Sequence, residues 1–228
     1  MKHKGNASQA ALKLILWTLV LLIAVSLGGL FAMILGSLIA TAAFFLLGLW
    51  VVFSLFTLYF FRDPNPKVPQ DPNAVVSPAH GKVDVIDETT EPEFIGGSCR
   101  RVSIFLSVID VHVENAPVAG KIGFLLHTPG QFVSALKADA AAHNENVLIG
   151  FESSEQPGEK IAVRLIAGVL ARRIVPWVAL NDVVARGERI SLIQFGSRCD
   201  LYLPLSSNIQ VKLGTHVKGG ETIIARRS

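Results

Sequence analysis

Arg186-Gly187-Glu188-Arg189-Ile190-Ser191-Leu192-Ile193-Gln194-Phe195-Gly196-Ser197-Arg198-Cys199-Asp200-Leu201-Tyr202-Leu203-Pro204 is the stretch that decides the fold. Two short runs, Glu188–Gln194 and Asp200–Leu205, stand on either side of a Gly-Ser step, and both are rich in branched or aromatic residues. That is the pattern of two strands and a tight connection. Glycine adopts backbone angles that other residues avoid, so the Gly196 carbonyl can be turned toward the Ser197 hydroxyl, which would then attack it. By itself, a Gly-Ser pair between strands is an ordinary turn.

Working outward, the same punctuation recurs. Val75-Val76, Lys82–Asp87, Arg101–Leu106, Lys121–Leu126, Val147–Phe151, Ile161–Leu165 and Gln210–Leu213 are further short runs bounded by Gly, Pro, Asn or Asp, and each predicts a strand. One Ala-rich segment, Gln131–Ala142, predicts a helix. Ser77-Pro78-Ala79-His80-Gly81-Lys82-Val83 is echoed by Ala116-Pro117-Val118-Ala119-Gly120-Lys121-Ile122, with a Pro, a Gly-Lys turn and a branched residue in both. Gly214–Ile223 has the G-x-x-V-x-x-G cadence of the hairpin turns in biotinyl and lipoyl carrier domains, but without an attachment lysine flanked by methionines. The expected fold is therefore mainly β, a barrel-sandwich-like domain of antiparallel strands with one or two short helices.

The N-terminal part is different. From Leu14 to Phe61 there is no Asp, Glu, Lys, Arg or His, and this run carries much of the mean hydropathy of +0.47. About 20 apolar helical residues cross a bilayer core, so the run is long enough for two helices and a turn, at Gly36-Ser37 or at Gly28-Gly29. It is too long for the roughly 7–15 apolar residues of a secretory signal. Arg62-Asp63-Pro64-Asn65-Pro66 ends it, because closely spaced prolines stop a helix. The expected organisation is a membrane hairpin over 1–61, a linker over 62–74 and a β domain over 75–228. Lys2, Lys4 and Lys13 precede the hairpin and Arg62 and Lys67 follow it, which predicts both outer ends on the cytoplasmic side of the cell membrane.

The formal charge of +3 comes from those N-terminal lysines, and the rest of the chain has no concentrated basic stripe. A nucleic-acid partner is therefore not expected. Cys99 and Cys199 lie far apart, as thiols of a cytoplasmic domain. His80, His112, His127, His143 and His216 lack the close pairing typical of a metal site, so no metal is expected.

The stretch around Gly196-Ser197 resembles the self-cleavage segment of phosphatidylserine decarboxylases of the short, single-domain kind. The resemblance extends through Tyr59-Phe60-Phe61-Arg62-Asp63-Pro64, Val76–Val83, Phe105-Leu106-Ser107-Val108-Ile109-Asp110-Val111-His112-Val113 with Ala116-Pro117-Val118, and Ala171-Arg172-Arg173-Ile174. It implies that Ser197 attacks Gly196, and that elimination and hydrolysis leave a pyruvoyl group at the new N-terminus. The products would be a β chain, 1–196, and an α chain, 197–228, held as a heterodimer and open to further oligomerisation. The pyruvoyl group derived from Ser197 would form a Schiff base with the substrate amine and act as electron sink, so no external cofactor is implied. The implied substrate is phosphatidylserine in the bilayer. A related serine phospholipid such as archaetidylserine shares the headgroup.

Residue by residue, the resemblance assigns His112 to proton return during decarboxylation. It departs at position 80, where the family has Asp and this chain has His80. A histidine can itself serve as base toward Ser197, or its presence can mark a non-processing, membrane-tethered relative. A second histidine of longer members is replaced by Asn115. His143-Asn144-Glu145-Asn146 resembles a family segment that is usually Asn-Glu-Arg, with Asn146 in place of Arg. Arg172 and Arg173 are candidates for binding the substrate phosphate or carboxylate, since guanidinium groups suit bidentate anion contacts. His216 reads as a surface turn residue.

Overall fold

The computed structural model describes residues 5–32, 37–132, 143–168, 173–194 and 197–227. The chain falls into two compact units, Gly5–Asp63 and a β unit beginning at Pro64.

The first unit is a helical hairpin of α1, Asn6–Ala32, and α2, Ser37–Phe60. Spans Ala7–Phe31 and Ile39–Phe60 are each long and apolar enough to cross a membrane. Trp17, Phe31 and Phe44 are 74%, 71% and 72% exposed, a surface suited to lipid rather than water. Gly28 and Gly29 lie inside α1, so neither is the turn; Ser37 opens α2, and Gly36 lies outside the described residues. Gly29 instead serves packing, because a Cβ there would stand 3.1 Å from that of Ala43 on α2. The Trp50 indole N–H donates to Thr18 Oγ1 at 2.9 Å, tying the helices together by a polar bond.

The β unit contains fourteen described strands: β1 Ala74–Val76, β2 Gly81–Glu91, β3 Gly97–Leu106, β4 Val113–Asn115, β5 Gly120–Thr128, β6 Asn146–Ser153, β7 Lys160–Ala167, β8 Arg173–Pro176, β9 Val183–Val184, β10 Arg189–Gln194, β11 Ser197–Leu203, β12 Asn208–Ile209, β13 His216–Val217 and β14 Ile223–Arg226. Eight of them form one curled antiparallel sheet in the order β13-β2-β3-β11-β7-β6-β5-β9. Two three-stranded sheets, β4-β10-β8 and β1-β14-β12, complete the unit.

One face of β11 carries Cys199, Leu201 and Leu203 into the main core, with Ile104, Leu165 and Val163 from its neighbours. Ile174 and Ile193 of the small sheet β4-β10-β8 belong to the same core, so this sheet covers that face. The opposite face carries Tyr202 into a smaller cluster with Phe94, Cys99, Leu148 and Ala162. The two free cysteines thus lie in different clusters.

Three sequence expectations need correction. The strand expected from Asp200 begins at Ser197, so the serine is a strand residue with a neighbouring strand on both sides rather than part of a turn. Gln210–Leu213 is not a strand, and β12 ends before it at Ile209. Gln131 makes an isolated bridge to Asn144 rather than opening a helix; the rest of the expected helix, 133–142, lies outside the described residues. The 64–72 segment runs along the β unit, where its carbonyls accept from arginines: Pro64 from Arg189, Pro69 from Arg186 and Pro72 from Arg227.

Candidate active site

Ser197 opens β11 between Leu106 of β3 and Ala167 of β7. By strand alternation its side chain shares the core face of Cys199. It is fully buried, and among the described residues its hydroxyl has no hydrogen-bond partner. Leaving a buried hydroxyl unbonded costs about 1–3 kcal/mol. Such orphans call for an explanation, and a group that must react is one. Gly196 and Phe195 lie outside the described residues.

The loop 107–112 leaves β3 directly after Leu106, the register partner of Ser197, and ends at His112 beside β10, where the Ile193 N–H donates to the His112 carbonyl at 3.0 Å. Asp110 builds this loop. Its carboxylate accepts from the Ser107 N–H at 2.9 Å and the Ser107 hydroxyl at 2.7 Å. Burial opposes ionisation of Asp110, but the Ser107 bonds and the His216 ring outweigh it and hold the carboxyl below its usual range. The imidazole of His112 is fully buried, with Nδ1 3.0 Å from the Asp110 backbone carbonyl. A carbonyl only accepts, so Nδ1 carries a proton in this contact.

His216 is exposed, but it lies in strand β13 rather than in a turn. Its Nε2 lies 2.9 Å from Asp110 Oδ1. Sequence spacing gave no sign of this, because the pair is brought together only when β13 joins β2.

His80 is half-buried in the turn that enters β2. Gly81, at φ 148°, makes that turn possible, since a Cβ there would overlap the Phe105 carbonyl oxygen. His80 and Asn115 meet beneath Gly219: a Cβ on Gly219 would stand 2.6 Å from Asn115 Oδ1 and 3.1 Å from His80 Nε2. His80 and Asn115, two of the positions at which this chain departs from the pattern it resembles, are therefore spatial neighbours. His80 lies at the same end of the sheet as Ser197 with β3 between their strands, and no hydrogen bond joins them.

On the other flank, Asn144 is buried and its side-chain amide donates to the Ala167 carbonyl at 2.6 Å, while the Ala167 N–H donates to Glu145 O at 2.9 Å. The His143–Asn146 segment thus fixes the end of β7 beside Ser197. His127 pairs with Glu145 at 3.2 Å, and His143 is exposed. Arg173 is exposed opposite Gln194, whereas Arg172 lies outside the described residues. Among the described residues, no three His, Cys, Asp or Glu side chains gather as metal ligands.

Sequence reasoning missed Glu114, which is fully buried on β4 opposite Ser191. The sign was present: Glu114 shares the alternation of Ala116 and Val118, both core residues.

Residues 53–225 match the family model described as Phosphatidylserine decarboxylase. The phosphatidylserine decarboxylase proenzyme of Desulfotalea psychrophila is 46% identical over 178 residues, which is 78% of this chain and 82% of that protein. The proenzyme of Symbiobacterium thermophilum is 40% identical over 197 residues, covering 84% and 91%. That of Syntrophus aciditrophicus is 42% identical over 186 residues, covering 79% and 86%.

Proposed function

This chain belongs to the phosphatidylserine decarboxylase family, and we propose that it is a self-processing proenzyme that converts phosphatidylserine to phosphatidylethanolamine and carbon dioxide at the cytoplasmic face of the cell membrane. The observation that carries the reading is the buried, unpartnered hydroxyl of Ser197 at the end of β11, beside the loop that bears His112. Ser197 attacks the carbonyl of residue 196 and becomes the source of a pyruvoyl group. That group supplies a carbonyl able to accept the electron pair released with carbon dioxide.

The remaining tasks fall to this chain's side chains. His112, oriented by the bond from Nδ1–H to the Asp110 carbonyl, holds and returns a proton at the substrate α-carbon. Arg173, exposed beside the end of β10, takes a substrate anion, and Arg172 adjoins it in sequence. His80 acts on the processing step with Asn115 as its neighbour. After cleavage the Ser197–Ser228 fragment stays bound, because β11 remains hydrogen-bonded between β3 and β7 and β14 remains paired with β1. The two apolar helices tether the site where a diacyl lipid resides.

The test is intact-mass analysis of the purified full chain, with headgroup analysis of phosphatidylserine vesicles incubated with it. A Ser197–Ser228 fragment with a pyruvoyl N-terminus, together with phosphatidylethanolamine, is expected. A single uncut 24.6 kDa chain without lipid turnover overturns the reading.

A further inference from the structure

Two polar groups share the core layer between β11 and the small sheet and make no hydrogen bond among the described residues: the Ser197 hydroxyl and the carboxyl of Glu114, at both oxygens. Glu114 faces this layer because its register partner Ser191 lies two positions from Ile193, and Ala116 lies two beyond Glu114 itself; both Ile193 and Ala116 are core residues. Ser197 faces it from the other side, two positions from Cys199. The Ser191 hydroxyl is occupied, donating to the Val175 carbonyl at 3.2 Å.

Burial pushes the Glu114 carboxyl well above the usual range, and the nearby Ser191 hydroxyl and backbone N–H groups offset this only in part. Burial also pushes the Cys199 thiol up, and the nearby Glu114 and Asp200 carboxyls add to this. A protonated carboxyl in an apolar layer is tolerable, and a lone carboxylate there is not. This acid becomes a base only when a positive charge appears beside it.

We infer that Glu114 is the base that removes the Cα proton of Ser197 when the serine is converted to the pyruvoyl group. The inference rests on the self-processing reading above. In the acyl shift the Ser197 Oγ–C bond forms, the amide C–N bond breaks, and the hydroxyl proton passes to the departing nitrogen, leaving a neutral amine. That amine takes the Glu114 proton, giving an ammonium and a carboxylate as an adjacent ion pair. The carboxylate then takes the Cα–H of Ser197. The electron pair forms the Cα–Cβ double bond, and the Cβ–Oγ bond breaks with its electrons, releasing the residue 196 carboxylate. The enamine gives up its nitrogen as ammonia when water adds, leaving the ketone. No oxidant or reductant is consumed. Glu114 is thus neutral while the precursor folds and charged only once the new amino group exists.

The test uses full-length chains in detergent with Glu114→Gln and Glu114→Leu, the latter similar in size but without a polar atom. Processing is followed by intact mass with and without hydroxylamine, and folding by thermal unfolding. Both variants are expected to fold, and to form the pyruvoyl fragment at least about 100-fold more slowly. They stall as the ester, so hydroxylamine releases Ser197–Ser228 with an unmodified serine N-terminus. Wild-type rates in either variant overturn the inference. So does a stalled chain that hydroxylamine leaves intact, or loss of folding in both variants, because Glu114 is then a packing residue. If the wild-type chain itself stays uncut, the self-processing reading fails instead.

Discussion

His216 Nε2 lies 2.9 Å from Asp110 Oδ1, joining a residue that follows Ser197 in the chain to the loop that precedes it and carries His112. The pair therefore spans the two fragments that processing would create.

The two members of this pair are expected to be unequal. Asp110→Asn weakens the two Ser107 bonds as well as the His216 contact, and is expected to cost about 1–3 kcal/mol at pH 7. His216→Ala removes an exposed partner, and is expected to cost less than about 1 kcal/mol. The folded-state pKa of Asp110 is depressed, so its contribution is present above the unfolded value near 3.8 and is lost as pH falls through the folded value. Thermal melts should show Asp110→Asn and wild type converging in acid.

Glu114 has the opposite sign. Its folded-state pKa is raised above the ordinary glutamate value near 4.5, so its contribution is intact below that pH and is lost as pH rises toward the folded value. On an uncleavable Ser197→Ala background, Glu114→Leu should gain stability relative to its parent as pH rises above about 4.5, by at most about 1.4 kcal/mol per pH unit. Thermal unfolding across that range checks it.

The two site histidines are expected to separate by step. His112→Ala should still yield the Ser197–Ser228 fragment, while lipid decarboxylation falls at least about 100-fold. His80→Asn should slow appearance of the fragment instead. Fragment mass and phosphatidylethanolamine formation, measured on the same samples, distinguish the two effects.

Gly219→Ala probes the same corner without replacing a titratable group. Its new methyl presses on Asn115 and the His80 ring, at 2.6 and 2.9 Å. Processing should slow while the melting temperature moves little, because the neighbours are side-chain tips.

Gly81→Ala should be the costlier glycine change, at about 2–4 kcal/mol. Both the positive φ and the overlap with the Phe105 carbonyl oppose a side chain, and neither backbone can yield without disturbing the β2–β3 pairing.

The sequence by itself determined the helical hairpin, because an uncharged apolar run as long as Leu14–Phe61 has few other stable states. It also determined most of the long strands, whose branched runs carry their own period, and it singled out Ser197 through the segments around it. Short strands such as β4, β8 and β13 were not legible: two to four residues carry no period, and only their partners make them strands. Tertiary structure alone decided that Ser197 is a buried strand residue with an unbonded hydroxyl, that Asp110 holds His216, and that His80 meets Asn115. Glu114 stood between the two cases, its parity readable and its isolation not. The reason is physical: periodicity is a local property of the chain, whereas burial and hydrogen-bond satisfaction depend on residues distant in sequence that only the folded sheets bring together.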